Sequence, residues 1–255
     1  MASWASNRRI IYLSLIAGFF ILIFAYPIFS LVYEAPSCFD TAQNQNETGI
    51  DCGGVCDAVC EFETVSPVIL WSRVLRVEGG VYDTIARIEN QNVTGGASRV
   101  PYSFKLYDEN GVLIAERLGS TFVNPSEQFT VFEGAIKTGK RVPIRVFFEF
   151  LENPKWVKIK EAAPVLSIQN QTFTDDGVKP RLRAEISNNT FDTIERIILT
   201  AVVFDLEDNA IAASKTEVDR LLPQSSKTIS FIWPQTFGDV PTRIEIIPRV
   251  NIVEK

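Results

Sequence analysis

Histidine is missing from all 255 residues. That absence removes the commonest general base, the commonest zinc ligand and the usual partner of a nucleophilic serine or cysteine. An excess of positive charge is missing too: 25 basic residues stand against 31 acidic ones, with a pI near 4.9. A nucleic-acid binder would normally show a basic face, so that class is excluded. Cysteine does not occur after Cys60, and the long C-terminal part is therefore not a disulfide framework. No window after residue 60 combines a helical period with caps, which excludes a helical domain there.

What is present begins with one apolar run, Ile10 to Val32, preceded by Arg8 and Arg9, free of charge and with only Ser14 and Ser30 as small hydroxyls. About 20 such residues cross the hydrocarbon layer as a helix. The run is too long for a signal-peptide core, and Ala25-Tyr26-Pro27 is a poor cleavage site, so an uncleaved signal anchor is expected over residues 10–33. The arginine pair assigns residues 1–9 to the cytoplasm and the rest of the chain to the extracytoplasmic side, with Trp4, Tyr12, Tyr26 and Tyr33 at the interfaces.

All four cysteines fall in an acidic spacer, residues 34–62. Its segment PSCFDTAQNQNETGIDCGGVCDAVC has almost no apolar matter for a core, so crosslinks must hold it. Three disulfide connectivities are open. Local loop closure favours Cys38 with Cys52 and Cys56 with Cys60, and a four-thiolate zinc site is the alternative. Asp40, Asn44, Glu47 and Asp51 offer the oxygen atoms that a structural calcium ion would take, against the simpler reading of a solvated acidic loop. The segment resembles a short motif of secreted and surface proteins, many of them bacterial, of the form C-x-D-G-x-x-N-x-x-E-T-G-x-D-C-G-G-x-C-x-x-C. The resemblance covers Cys38, Asp40, Asn44, Glu47, Thr48, Gly49, Asp51, Cys52, Gly53, Gly54 and Cys56, with Thr41 in place of a glycine and one extra residue before Cys60. It implies an extracytoplasmic, bacterial setting rather than an activity.

The remainder repeats itself. Ala86, Ile88 and Asn90 recur as Ala184, Ile186 and Asn188 at an offset of 98. Tyr107-Asp108 recurs as Phe204-Asp205, Ile114-Ala115 as Ile211-Ala212, and Asn124-Pro125 as Leu222-Pro223. Beyond that point two registers compete: Val142 to Arg145 matches Val240 to Arg243, and Pro154 to Ile159 matches Pro241 to Ile246. Leu182, Ala184 and Ile186 alternate with Arg181, Arg183 and Glu185, the period of a strand with one buried face. Asp108-Glu109-Asn110-Gly111 supplies turn chemistry; the second copy has Asp208-Asn209 but Ala210 in place of the glycine. Many short β-branched and aromatic segments punctuated this way predict an all-β chain. The expected architecture is two tandem immunoglobulin- or fibronectin-like sandwiches, 63–162 and 163–255, after one N-terminal transmembrane helix. Phe104-Lys105-Leu106-Tyr107-Asp108 matches the signature of the FxLYD family, and the first copy resembles that family's small surface β-sandwiches. The resemblance implies an extracytoplasmic sandwich with no catalytic residues to carry over.

The residues nominated for function are few. Phe147, Phe148, Phe150 and Trp156 form an aromatic run richer than one strand face needs, which makes it a candidate partner surface or a seam between the domains, against the favoured and simpler account of a completed sandwich core. Asn46, Asn92, Asn170 and Asn188 each open an Asn-x-Thr sequon. No catalytic residue and no cofactor beyond the calcium candidate is expected. The function expected is that of a non-catalytic, membrane-anchored scaffold, adhesion or accessory-subunit protein, meeting an envelope protein or a glycan and no nucleic acid. The alternatives are an envelope glycan-binding protein and a carboxylate-dependent envelope enzyme.

Overall fold

A computed structural model describes residues 4–32 and 37–254. Helix α1 runs Trp4–Val32. Ile11, Leu13, Phe19, Leu22 and Phe24 point outward on all sides of it, and a helix apolar all round has no face for water. Its segment Asn7–Pro27, 21 residues at a mean hydropathy of 2.2, is long and apolar enough to cross a membrane. The Arg8 guanidinium caps the Trp4 ring, 4.0 Å from its centroid. Tyr33, expected at an interface, lies outside the described residues.

Residues 57–254 are all-β apart from a single 3-10 turn at Glu61–Glu63. The first sandwich uses β1 (Val68–Glu78), β2 (Val81–Glu89), β3 (Gly95–Tyr107), β4 (Leu113–Val123), β5 (Gln128–Lys137), β6 (Arg145–Phe150) and β7 (Val157–Lys158). The second uses β8 (Leu166–Thr174), β9 (Arg181–Asn188), β10 (Ile194–Phe204), β11 (Ala210–Leu221), β12 (Ser225–Ile232) and β13 (Arg243–Arg249). One antiparallel sheet of the first has the order β1-β2-β5 and the other β4-β3-β6, with β7 also on β3. The second sandwich has β8-β9-β12 and β11-β10-β13. The strand order is therefore the same in both, each sheet taking the corresponding members of the series.

Side-chain detail follows the same plan. Asn90, buried at the end of β2, donates through Nδ2 to the carbonyls of Gly95 (2.9 Å) and Asn124 (2.7 Å). Asn188, buried at the end of β9, donates to the carbonyls of Asp192 (2.8 Å) and Leu222 (3.1 Å). Each amide thus ties the end of its strand to backbone carbonyls of neighbouring segments, and these bonds are why a buried Asn is tolerated. Asp108 accepts from the backbone N–H groups of Asn110 and Val112, and Asp205 from those of Glu207 and Asn209. The left-handed residue of the first turn is Gly111 (φ 73°), and its counterpart is Asp208 (φ 61°), not Ala210, which opens β11. Aspartate tolerates that conformation better than most side chains. The competing registers also resolve: Tyr107 pairs with Arg145 and Phe204 with Arg243. Arg145 therefore corresponds to Arg243, and β13 is the counterpart of β6, whereas β7, paired with Gly95 and Gly96 at the start of β3, has no counterpart among the described strands of the second sandwich.

Each sandwich encloses its own core. Ile88, Val100, Phe104, Leu106, Phe129 and Phe148 lead the first, and Leu182, Ile186, Ile197, Leu199, Phe231 and Trp233 the second. A third core lies between them. Leu75 and Ile85, on the outer face of β1-β2-β5, pack with Val202, Phe204, Ala213 and Ile247 on the outer face of β11-β10-β13, flanked by Trp71 and Phe132. The outward Thr200, Val202 and Phe204 of β10 are consequently as buried as the inward Leu199, Ala201 and Val203. Arg249 at the end of β13 is 4% exposed and reaches across the seam. Its guanidinium donates to both carboxylate oxygens of Glu127 (3.0 and 2.9 Å), to Thr121 Oγ1 (3.2 Å) and to the Phe122 carbonyl (2.8 Å), over the rings of Phe122 and Phe129. Arg87 pairs with Glu245 at 3.0 Å along the same seam.

The expected spacer boundary is corrected. Residues 57–59, assigned to the spacer, belong to the first sandwich: Lys158 N–H donates to the Asp57 carbonyl and Val59 N–H to the Trp156 carbonyl. Asn92 and Asn188, read as sequons, are buried. Asn92 exchanges hydrogen bonds with the backbone of Val65, 2.8 Å to its Oδ1 and 2.7 Å from its Nδ2. Neither has an amide free for a glycan.

Candidate functional site

The acidic loop, residues 37–56, is closed by a disulfide between Cys38 and Cys56. This corrects the pairing of Cys38 with Cys52. Cys52 and Cys60 are also disulfide-bonded, so no thiolate is left for zinc. Loop-closure cost grows only slowly with length, and it was outweighed by the way the loop folds on its own carboxylates. Glu47, 6% exposed, accepts from the N–H groups of Asn44 (3.2 Å) and Asp51 (3.3 Å). Its other oxygen lies 3.0 Å from the Cys56 sulfur. Asp51 accepts from the N–H groups of Asp40 (3.0 Å) and Thr41 (2.9 Å). Asp40 accepts from those of Ser37 and Ala42 and from Asn44 Nδ2, and these bonds, the Ser37 one foremost, hold its carboxyl below the usual range. Gly54 takes a left-handed φ of 54° where any Cβ would overlap the Asn46 carbonyl.

The four calcium candidates, Asp40, Asn44, Glu47 and Asp51, are thus brought together, but as acceptors for N–H groups. A calcium ion takes six to eight oxygens, and here the three carboxylates already receive donors, leaving Asn44 Oδ1 as the loop's one buried side-chain oxygen without a partner among the described residues. The donor set fits a loop that uses carboxylates in place of an apolar core. It does not fit a calcium cage.

The aromatic run is divided by the pleat. Phe148 and Trp156 are buried and Phe150 packs against the same core. They are not a partner surface, nor do they form the seam, which runs through Val202 and Phe204 instead. Only Phe147 faces out, 52% exposed, its ring edge-on to Tyr107 at 5.5 Å. On the same outer sheet face Leu118 of β4 is also exposed, beside the Lys105–Glu149 ion pair. Nothing in the sequence around Leu118 marked it, because an alternating strand always has one side chain of every pair outward.

A concavity of about 470 Å³ opens between β1, the start of β11 and the segment after β12. Arg76, Glu78, Asp83, Trp233, Phe237 and Asp239 line it. Trp233 donates its indole N–H to the Ala213 carbonyl (3.1 Å) and meets Phe237 edge-on at 5.4 Å. Asp83 accepts from Ala135 N–H at 2.8 Å, where β5 bulges with Ala135 at φ 59°. Burial pushes the Asp83 carboxyl above its ordinary 3.8. Such a group is uncharged in folded and unfolded chain alike at low pH, and its penalty grows as pH rises through the folded pKa. Asp83→Asn keeps an acceptor for Ala135 and is expected to raise the thermal midpoint at pH 7 while leaving it unchanged near pH 3; equal shifts at both pH values would refute the burial penalty.

Comparison with known proteins adds little to this geometry. No family model and no curated protein matches the chain. Among solved structures it is similar to the crystal structure of red sea bream transglutaminase, at 10% identity and a TM-score of 0.23, over 71% of this chain and 29% of that one. Likeness of that size carries no argument about activity. The chain spans less than a third of that enzyme. The class defined by the structure is a β-sandwich protein with an N-terminal helix of membrane-spanning length, an arrangement compatible with a membrane-anchored β-domain protein.

Proposed function

We propose that this is a non-catalytic, single-pass surface protein in which α1 is an uncleaved signal anchor and the sandwiches form an extracytoplasmic scaffold, adhesion or accessory-subunit module. Arg8 and Arg9 favour a cytoplasmic N-terminus. The observation that carries the reading is the seam: a shared apolar core with Arg249 locked across it joins the sandwiches into one stiff body, as a platform requires and a flexible string of domains does not provide. The matching strand orders and the paired amides Asn90 and Asn188 support a duplicated sandwich. The FxLYD reading is supported by the division of labour within its motif: Phe104 and Leu106 are in the core and Asp108 organises the turn. Crosslinking in native membranes, mild-detergent purification and mass spectrometry test the proposal. A stoichiometric protein partner is expected, with Phe147 and Leu118 within the crosslinked face. Recovery of the chain alone despite efficient crosslinking would sink the accessory-subunit role.

A second reading rests on the concavity around Asp83. A desolvated carboxyl in a concavity that Glu78 and Asp239 also line is the kind of group that glycan recognition or carboxylate chemistry would use. Envelope glycan fragments should then raise the thermal midpoint of the wild type, and Asp83→Ala should abolish that rise. No shift with any fragment disposes of both forms of this alternative.

A further inference from the structure

The disulfide-closed loop is built inside out. Its large apolar side chains, Phe39, Ile50 and Val55, are 90%, 61% and 61% exposed, whereas the Glu47 carboxylate is enclosed at 6%. Nor are the three scattered. Phe39 adjoins Cys38 and Val55 adjoins Cys56, so the disulfide, with 5.7 Å between its Cα atoms, holds their backbones together. Ile50 adjoins Asp51, whose carboxylate is bonded to the N–H groups of Asp40 and Thr41 immediately after Phe39. The carboxylates that would repel an apolar medium are turned toward the loop's own N–H donors.

The covalent chain limits what can lie next to this surface. Helix α1 ends at Val32 and the loop begins at Ser37; five peptide steps of at most about 3.6 Å keep the two within roughly 18 Å. The apolar run of α1 extends to Val32 itself, so the helix end belongs at the edge of the hydrocarbon and the loop begins within reach of the headgroup layer. We propose that this loop is a membrane-contacting collar, in which Phe39, Ile50 and Val55 lie in the headgroup and acyl boundary of the bilayer that α1 crosses. The inference rests on the reading of α1 as a retained span. Because the contact is apolar and the loop carries only acidic charge, neutral phosphatidylcholine is a sufficient partner.

Photocrosslinking of the full chain, disulfides intact, in phosphatidylcholine liposomes tests this. p-Benzoylphenylalanine would replace Phe39, or Phe20 in mid-helix, or Phe191, which is 88% exposed on the second sandwich. Exposed Phe39 tolerates the larger ring without repacking. The expected result is lipid adducts at Phe20 and Phe39, the latter at least about tenfold above Phe191. Adducts at Phe20 with Phe39 at the Phe191 level, or Phe39 joined to a second copy of the chain rather than to lipid, would overturn the collar and leave the span standing. Absence of lipid adducts at Phe20 would overturn the span, and the collar with it.

Discussion

Substitution of methionine for Arg249 is expected to destabilise the β region by about 3 kcal/mol, at the lower end of what removing one partner of a buried ion pair costs, and to split one unfolding transition into two. Methionine preserves the stem between Phe122 and Phe129 but leaves the Glu127 carboxylate, whose side chain is 17% exposed, without its partner. Glu127 retains some access to water, hence the lower end of the range. The seam holds the sandwiches through a modest set of apolar side chains, Leu75, Ile85, Val202, Phe204 and Ile247, so losing its polar clasp should uncouple them. Arg220→Met is the control: Arg220 and Glu195 are 65% and 55% exposed, and such a pair contributes at most about 1 kcal/mol. Urea unfolding of the detergent-solubilised chain, followed by fluorescence and by circular dichroism, makes the measurement. Coincident single transitions in the Arg249→Met chain, with a loss under about 1 kcal/mol, would mean that the apolar seam suffices by itself.

Phe148→Ala should cost about 3–5 kcal/mol, the usual loss for a large aromatic in a core, whereas Phe147→Ala next to it should cost less than about 1 kcal/mol. Phe148 is 5% exposed and sits 5.0 Å from Phe104 and 5.3 Å from Tyr102, ring centre to ring centre. Removing it opens a cavity among rings that cannot collapse, because Gly119 is already pressed against Tyr102, and Tyr102 is pinned by its hydroxyl donating to Glu133 at 2.7 Å. Phe147 loses only its contact with Tyr107. A slip of β6 by one residue would invert the two results. The same pair of variants separates stability from partner binding, since Phe147→Ala should weaken capture of a protein partner without moving the unfolding midpoint.

Local chemistry was legible because its causes are local. A charge-free apolar run of this length makes a helix long and apolar enough to cross a membrane, alternation in RLRAEIS buries one face of β9, and Asp108 and Asp205 organise turns by accepting from N–H groups two and four residues on. The offset that aligns Asn90 with Asn188 in the sequence also aligns their hydrogen bonds. Where the reading went astray, the missing information was long-range. The aromatic run stayed open between core, surface and seam because composition does not say which face of a strand another sheet will cover, and the disulfide was misassigned because the path of a loop with no apolar core is set by its hydrogen bonds.

What the amino-acid order determined by itself was therefore the helix of membrane-spanning length, the strand period, the turn positions and the confinement of crosslinks to one acidic segment. Tertiary structure decided the rest: that Val202 and Phe204 bury their outward faces against Leu75 and Ile85, that Arg249 finds Glu127 across the seam, and that Phe39, Ile50 and Val55 are left outside while Glu47 is enclosed. Each of these depends on residues that the chain brings together only after its strands have paired. Periodicity describes a strand's two faces and is silent about what will cover them.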